Sequence, residues 1–155
     1  MKVSSREGVE APIDDVFRRV TEFEAFGRQA LRRGGEVERV DNMQDIGNGA
    51  AWKVKFLFRG KPRNLRAEVA TFDAPQLLQV QTDTQGLTGT TFIELVALSP
   101  RRTRLSIGLE MKPKSLTARL MMQTLKLAKT NLNRKFKLRV SEFAEQTQEQ
   151  YQIQA

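Results

Sequence analysis

The segment RRTRLSIGLEMKPKSLTARLMMQTLKLA, residues 101 to 128, changes its hydrophobic period near the middle. In its first half apolar and polar side chains alternate, so Leu105, Ile107 and Leu109 share one face of a predicted strand. After Ser115 the apolar residues recur at steps of three and four, which is the period of a helix. The hydroxyl of Ser115 suits an N-cap. The segment therefore predicts a last strand that leads directly into a helix.

This predicted helix extends from Ser115 to about Glu145, a length of about 45 Å at 1.5 Å per residue. On a helical wheel five cations share one arc, namely Arg119, Lys126, Lys129, Arg134 and Lys137. Apolar residues occupy the opposite arc. A second apolar row widens the predicted buried arc to about 200°, and consists of Leu116, Leu120, Leu127 and Leu138. A strongly twisted sheet wrapped around the helix would cover such an arc.

The residues before this segment predict two short helices and an antiparallel sheet. A short strand ends at Pro12, after which four apolar residues follow with helical spacing: Ile13, Val16, Phe17 and Val20. A second short helix ends at Gly34 and Gly35. From residue 36 to residue 111 the period is two, and turn residues such as those at 47 to 49 separate the runs. These runs predict a meander of strands.

Composition limits the class of protein. With 155 residues, 39% hydrophobic and 28% charged, the chain suits one soluble domain, which we assign to residues 1–147 with a polar tail at 148–155. The N-terminus lacks the apolar stretch of a secretion signal, and no run approaches the roughly 20 apolar residues of a membrane span, so we expect a cytoplasmic protein. Cysteine and histidine are absent, and we predict no metal site and no cofactor.

The order of these elements resembles a known superfamily. VEAPIDDVFRRVTEFEAF, residues 9 to 26, is similar to the entry segment of the SRPBCC superfamily, the START-like or birch-pollen-allergen-like helix-grip domains. Residues 101 to 128 resemble the last strand and long helix of its polyketide cyclase/dehydrase and lipid-transport branch. The resemblance implies an α+β helix-grip fold. In it a strongly curved antiparallel sheet of about seven strands wraps around a long C-terminal helix, with two short helices after the first strand.

Helix-grip domains commonly keep an apolar cavity, so the resemblance implies binding or carrying of a small hydrophobic molecule of the lipid, quinone or polyketide class. The inward faces predict the lining: Trp52, Val54, Phe56, Phe58, Val69, Val80, Leu105, Ile107, Leu109, Met121, Leu125 and Leu132. In the structural alternative these side chains simply fill the interior. Two functional alternatives stay open: a cyclase, dehydratase or hydrolase acting in the same cavity, and a quinone-binding or interaction module whose basic helix contacts an anionic partner.

Catalysis has little support in the sequence. Only Glu94 is a candidate acid or base, because the run FIELVAL is apolar on both faces and its inward face is undecided. An antiparallel sheet has a solvated side, which favours a solvent-exposed Glu94. The sequence therefore favours binding over chemistry.

The net charge of +8 favours an anionic partner or a solvated surface. Residues 112 to 139 contain nine basic residues and no acid. Nucleic acid is disfavoured because Trp52 and Phe56 lie on the strand face opposite Lys53 and Lys55, which leaves no aromatic beside the cations. Peripheral contact with an anionic membrane ranks higher. The sequence leaves the oligomeric state open.

Overall fold

The protein is described by a computed structural model that covers residues 1–58 and 60–154, without the side chain of Phe58. Its elements, in chain order, are β1 (Lys2–Val9), α1 (Ile13–Val20), α2 (Phe23–Arg32), β2 (Glu36–Arg39), β3 (Ala51–Phe58), β4 (Lys61–Asp73), β5 (Leu77–Thr84), β6 (Leu87–Ser99), β7 (Arg102–Pro113), α3 (Leu116–Leu127) and α4 (Lys129–Gln154). The strands form one antiparallel sheet in the order β1-β7-β6-β5-β4-β3-β2. The predicted curved seven-stranded sheet, long C-terminal helix and two short helices after the first strand are confirmed.

The two short helices begin and end where the sequence predicts. Pro12 is the N-cap of α1, and its carbonyl accepts hydrogen bonds from the amides of Asp15 and Val16, both at 3.1 Å. The C-terminus of α2 is closed by a Schellman-type pair of bonds, in which the amides of Gly34 and Gly35 donate to the carbonyls of Leu31 and Ala30. Gly34 has a φ of 85°, the left-handed conformation that this closure requires.

The sheet buries the face that the two-residue period predicts. Residues that pair across neighbouring strands share a face, so Val69 and Val80 lie on the same side as Leu105, whose side chain is fully buried. On this side Val140 and Ala144 of α4 join the same core cluster. We call it the inner face, and it is where the helices pack.

The C-terminal helix differs from the prediction because it is two helices. A break at Ala128 separates α3 from α4, and the Ala128 amide donates to the carbonyl of Leu125 at 3.0 Å, closing the last turn of α3. α3 packs on β7 whereas α4 packs across β1 and α1, so the break lets the chain follow two parts of the curved sheet. Neither glycine nor proline marks the break. The sequence therefore gives no signal for it.

Two further predictions about this region need correction. α4 continues to Gln154 rather than ending near Glu145, and it includes residues 148–154 of the predicted polar tail, where Tyr151 packs against the core; residue 155 lies outside the described part. The second apolar row is not buried: Leu116, Leu120, Leu127 and Leu138 are 57–90% exposed. The sheet covers only the other side of α3, at Ala118 and Met122. Over the described residues, no helix has the length and apolar character needed to cross a bilayer.

Strand β2 is shorter than the sequence predicts. The two-residue period of EVERVDNM predicts a strand across residues 36 to 43, but β2 ends at Arg39. Asp41 ends the ladder, because its carboxylate accepts hydrogen bonds from the Ala51 and Met43 amides, both at 2.8 Å. A connection over residues 40–50, here the β2–β3 loop, therefore replaces the predicted tight turn.

Candidate functional site

The structure places a cavity of about 750 Å³ at one end of the sheet, between α2, β2 and the β2–β3 loop. Its lining consists of Thr21, Glu22, Phe23, Glu24, Ala25, Gly27, Arg28, Leu31, Val37, Arg39, Gln44, Asp45, Ile46 and Trp52. The cavity is open to solvent, and Leu31 in its lining is 64% exposed. Cavities of this size hold small organic ligands in proteins.

An aromatic pair forms the floor of this cavity, which we call the Trp52 cavity. The rings of Phe23 and Trp52 lie 4.8 Å apart between centroids at an interplanar angle of 42°. Both side chains pack against the core cluster, as does Ile46 of the β2–β3 loop. The floor is therefore apolar and supported from below, which favours an apolar or aromatic ligand group.

Charged side chains form the rim. Arg39 places its guanidinium carbon 5.6 Å from the centre of the Trp52 ring, within the range of a cation–π contact. Its Nε and Nη2 atoms donate to the two Asp41 carboxylate oxygens at 2.8 and 3.0 Å. Because this bidentate pair fixes the guanidinium plane, Arg39 is held over the aromatic floor.

The same pair shifts the protonation equilibria of both groups. The Arg39 hydrogen bonds and the backbone amides of Ala51 and Met43 hold the pKa of the Asp41 carboxyl well below its ordinary value. The bonds to Asp41 raise the pKa of Arg39. Asp41 is therefore ionised at neutral pH and joins Arg39, the start of the loop and β3 into one unit.

The other end of the β2–β3 loop is fixed to β4. The Asn48 side-chain oxygen accepts a hydrogen bond from the Phe72 amide at 2.6 Å. The amide of Gly49, which has a φ of 92°, donates to the Val69 carbonyl at 2.8 Å, and the Val69 amide donates to the Ala50 carbonyl. Because both ends are tied, the loop holds Ile46 at the cavity as a fixed wall.

Among the described side chains, Trp52 is the only predicted lining residue that lines the Trp52 cavity. By register the strand residues occupy the inner face, as the sequence predicts: Trp52, Val54, Phe56, Val69, Val80, Leu105, Ile107 and Leu109. On the helices Leu125 and Leu132 are half-buried, but Met121 is 37% exposed. The Phe58 side chain lies outside the described residues.

Glu94 lies on the outer face, paired in register with Leu77 and Ser106, and is exposed. It borders an open groove of about 590 Å³ that Arg6 and Ser106 also line. No acid or base therefore enters the inner face at this position. Glu94 has neither the burial nor the cavity position that acid or base catalysis was expected to need.

The predicted basic surface is exposed. Arg119 and Lys126 lie on α3, and three further cations lie on α4: Lys129, Arg134 and Lys137. Over the described residues none of the five is within a salt bridge, although Arg134 donates to the Asn131 side chain at 2.6 Å. Because α3 and α4 are separate helices, these cations do not form one straight stripe.

Sequence reasoning missed most of the residues around the Trp52 cavity. The sequence alone gives no functional role to Phe23, Val37, Arg39 or Ile46. One signal was present. The β2–β3 loop contains Asp41 two residues after Arg39, a spacing that suits a local side-chain hydrogen bond.

No protein-family model and no curated protein sequence matches the chain. Solved structures do match it. A protein from Thermus thermophilus aligns over 95% of this chain and 97% of its own, with 14% identity and a TM-score of 0.66. The truncated norcoclaurine synthase of Thalictrum flavum aligns over 93% of this chain and 90% of its own, with 15% identity and a TM-score of 0.65.

A third similar structure is an aromatase/cyclase from Streptomyces sp. R1128, which aligns over 74% of this chain and 69% of its own, with 13% identity and a TM-score of 0.56. At these identities the likeness establishes the fold alone. The chain has a helix-grip fold, as its sequence predicts.

Proposed function

We propose that this chain, a helix-grip domain, binds a small and largely apolar molecule in the Trp52 cavity. The observation that carries the proposal is a cavity of about 750 Å³ whose floor is the Phe23–Trp52 pair. A ligand of that size would bury apolar surface at about 25 cal/mol per Å². The compounds considered from the resemblance, lipids, quinones and polyketides, are apolar molecules of this kind.

The proposed site differs in place from the cavity predicted between sheet and long helix. The floor residue Trp52 is common to both, but the other walls are α2, β2 and the β2–β3 loop. The rim adds polar selectivity, because Arg39 lies over Trp52 and Arg28 lines the same cavity. We expect an aromatic or conjugated ligand with an electron-rich polar end near these cations.

The residues of the site favour a ligand-binding protein over an enzyme. Glu94, the one acid considered for proton transfer, is exposed on the outer face. Of the three carboxylates that line the cavity, Glu22 accepts a hydrogen bond from Arg19 at 3.2 Å, and Glu24 and Asp45 are exposed. A carrier or ligand sensor therefore explains the site better than a cyclase.

The chain contains one tryptophan, which lies in the cavity lining, so its fluorescence can report probe binding, and the variants below locate it. Titration with phenylnaphthylamine, an uncharged apolar fluorophore, should quench Trp52 emission through energy transfer and saturate. We expect Gly27→Phe to weaken this binding by about tenfold or more, equal to about 1.4 kcal/mol. Gly27 and Val37 are neighbours in the cavity lining, since an added Cβ at Gly27 lies 3.9 Å from Val37 Cβ, so a phenyl ring at residue 27 would occupy space beside Val37.

The matched control is Gln29→Phe, which adds the same ring to an exposed position of α2 outside the cavity lining. Circular dichroism would establish that both variants fold. If both variants bind the probe as tightly as the unmodified protein, the ligand lies elsewhere and the proposal is wrong. Native mass spectrometry of protein purified from its own host would then identify any co-purifying ligand.

A further inference from the structure

Helix α3 carries a row of exposed leucines that no described part of the chain covers. Leu116, Leu120 and Leu127 are 74%, 57% and 90% exposed. At 100° per residue the three side chains lie within about 40° of one another, so they form a single line along the helix. We call this line the leucine row. Its length is about 17 Å at 1.5 Å per residue.

The opposite side of α3 holds it to the protein. Ala118 and Met122 are buried, and Leu125 is half-buried. The N-terminus is fixed by the Ser115 hydroxyl, which accepts a hydrogen bond from the Ala118 amide at 3.1 Å. The leucine row is therefore the outward face of an anchored helix.

Cations accompany the leucine row and no acid does. Arg119 and Lys126, seven residues apart, lie on one flank of the row. From residue 112 to residue 139 the chain has nine basic residues and no acid. Long basic side chains on the flank of an apolar row can reach headgroups while the apolar residues enter the acyl region.

These features select one partner by charge and shape. RNA would need exposed aromatics for stacking, and the exposed apolar residues of α3 are aliphatic. A lipid surface needs only a row of aliphatic side chains and cations at its level. We propose that α3 docks on an anionic lipid bilayer, with the leucine row inserted and Arg119 and Lys126 at the headgroups.

This proposal does not depend on ligand binding in the Trp52 cavity. Its test is co-sedimentation of the full chain with vesicles of phosphatidylcholine that contain increasing amounts of phosphatidylserine. We expect binding to rise with phosphatidylserine and to fall as salt shortens the Debye length from about 10 Å at 0.1 M to about 3 Å at 1 M. Replacement of Arg119 and Lys126 by glutamate should weaken binding by more than about twentyfold, since one cation near the surface is worth about fivefold.

Substitution of the leucines distinguishes insertion of the leucine row from attraction by charge alone. Leu120→Ser with Leu127→Ser should weaken binding more than about tenfold while leaving the net charge unchanged. The controls are Leu98→Ser, a 49% exposed leucine on β6, and Arg101→Glu, an exposed cation beside β7; both should bind like the unmodified protein.

Three outcomes would overturn the proposal. One is absence of vesicle binding at low salt in phosphatidylserine-rich vesicles. Another is normal vesicle binding by the Leu120→Ser, Leu127→Ser variant, which would show that charge alone causes the binding and that the leucines do not insert. The third is a change from dimer to monomer in that variant without any vesicle binding, measured by light scattering, which would assign the leucine row to a second copy of the chain.

Discussion

Replacement of Thr103 by valine tests whether one buried hydrogen bond joins the sheet to the chain segment that leads into α1. The Thr103 hydroxyl donates to the Ala11 carbonyl at 2.8 Å, and both residues are fully buried. Ala11 lies between β1 and Pro12, just before α1. The bond therefore connects β7 to the entry of α1 across 92 positions of the chain.

The expected loss follows from what the substitution leaves behind. Valine has nearly the shape of threonine but cannot donate, so the Ala11 carbonyl stays buried without this partner. An unsatisfied buried acceptor costs about 1–3 kcal/mol. For a chain of this size each kcal/mol lowers Tm by about 2–4 °C, so a loss of about 2 kcal/mol predicts a fall of about 6 °C.

Urea and thermal unfolding followed by circular dichroism measure this loss. Thr147→Val is the matched control, because Thr147 is also buried but its hydroxyl donates to the Phe143 carbonyl one turn earlier in α4. That carbonyl keeps its helical backbone partner, so we expect a cost below about 1 kcal/mol. Equal losses in the two variants, or no loss for Thr103→Val, would refute the argument that the long-range bond supports the fold.

Two further predictions concern the cavity walls. Asp41→Asn should lower Tm at neutral pH, and the difference in Tm from the unmodified protein should vanish in acid. The pKa of Asp41 in the folded protein lies below its ordinary 3.8, so the ionised carboxylate stabilises the fold fully above pH 3.8, and this stabilisation is lost as the pH falls below 3.8. Melts across this pH range test it, and a constant difference would contradict it. Gly34→Ala, just after the C-terminus of α2, should destabilise by about 1 kcal/mol because φ is 85° there. Gly27→Ala, inside α2, should stabilise by about 0.5–1 kcal/mol, and the same sign for both variants in urea unfolding would contradict the helix assignment.

The fold could be predicted because it depends on periodicity. The alternation that ends at the KPK segment and the helical spacing after Ser115 are strong signals, and a strand ends and a helix begins there as predicted. The break at Ala128 could not be predicted, because alanine favours helix and the cause is the shape of the sheet under α3 and α4.

The site was harder to predict, because periodicity identifies a face but not a void. Val69 and Leu105 lie on the expected face and are completely buried in the core cluster, while Trp52 on the same face lines a cavity. What separates them is the β2–β3 loop, which Asp41 and Asn48 hold in place through hydrogen bonds. The leucine row also misled the prediction, since a helical wheel shows an apolar arc but not whether anything covers it.

Nuclear magnetic resonance of the ¹⁵N-labelled protein during titration with phenylnaphthylamine tests the central claim most directly. The single tryptophan gives one indole N–H signal, which comes from the floor of the cavity. We predict saturable shifts of that signal and of the Phe23 and Ile46 amides. Shifts confined to Val54, Phe56 and Leu125, or none at high probe concentration, would contradict binding in the Trp52 cavity.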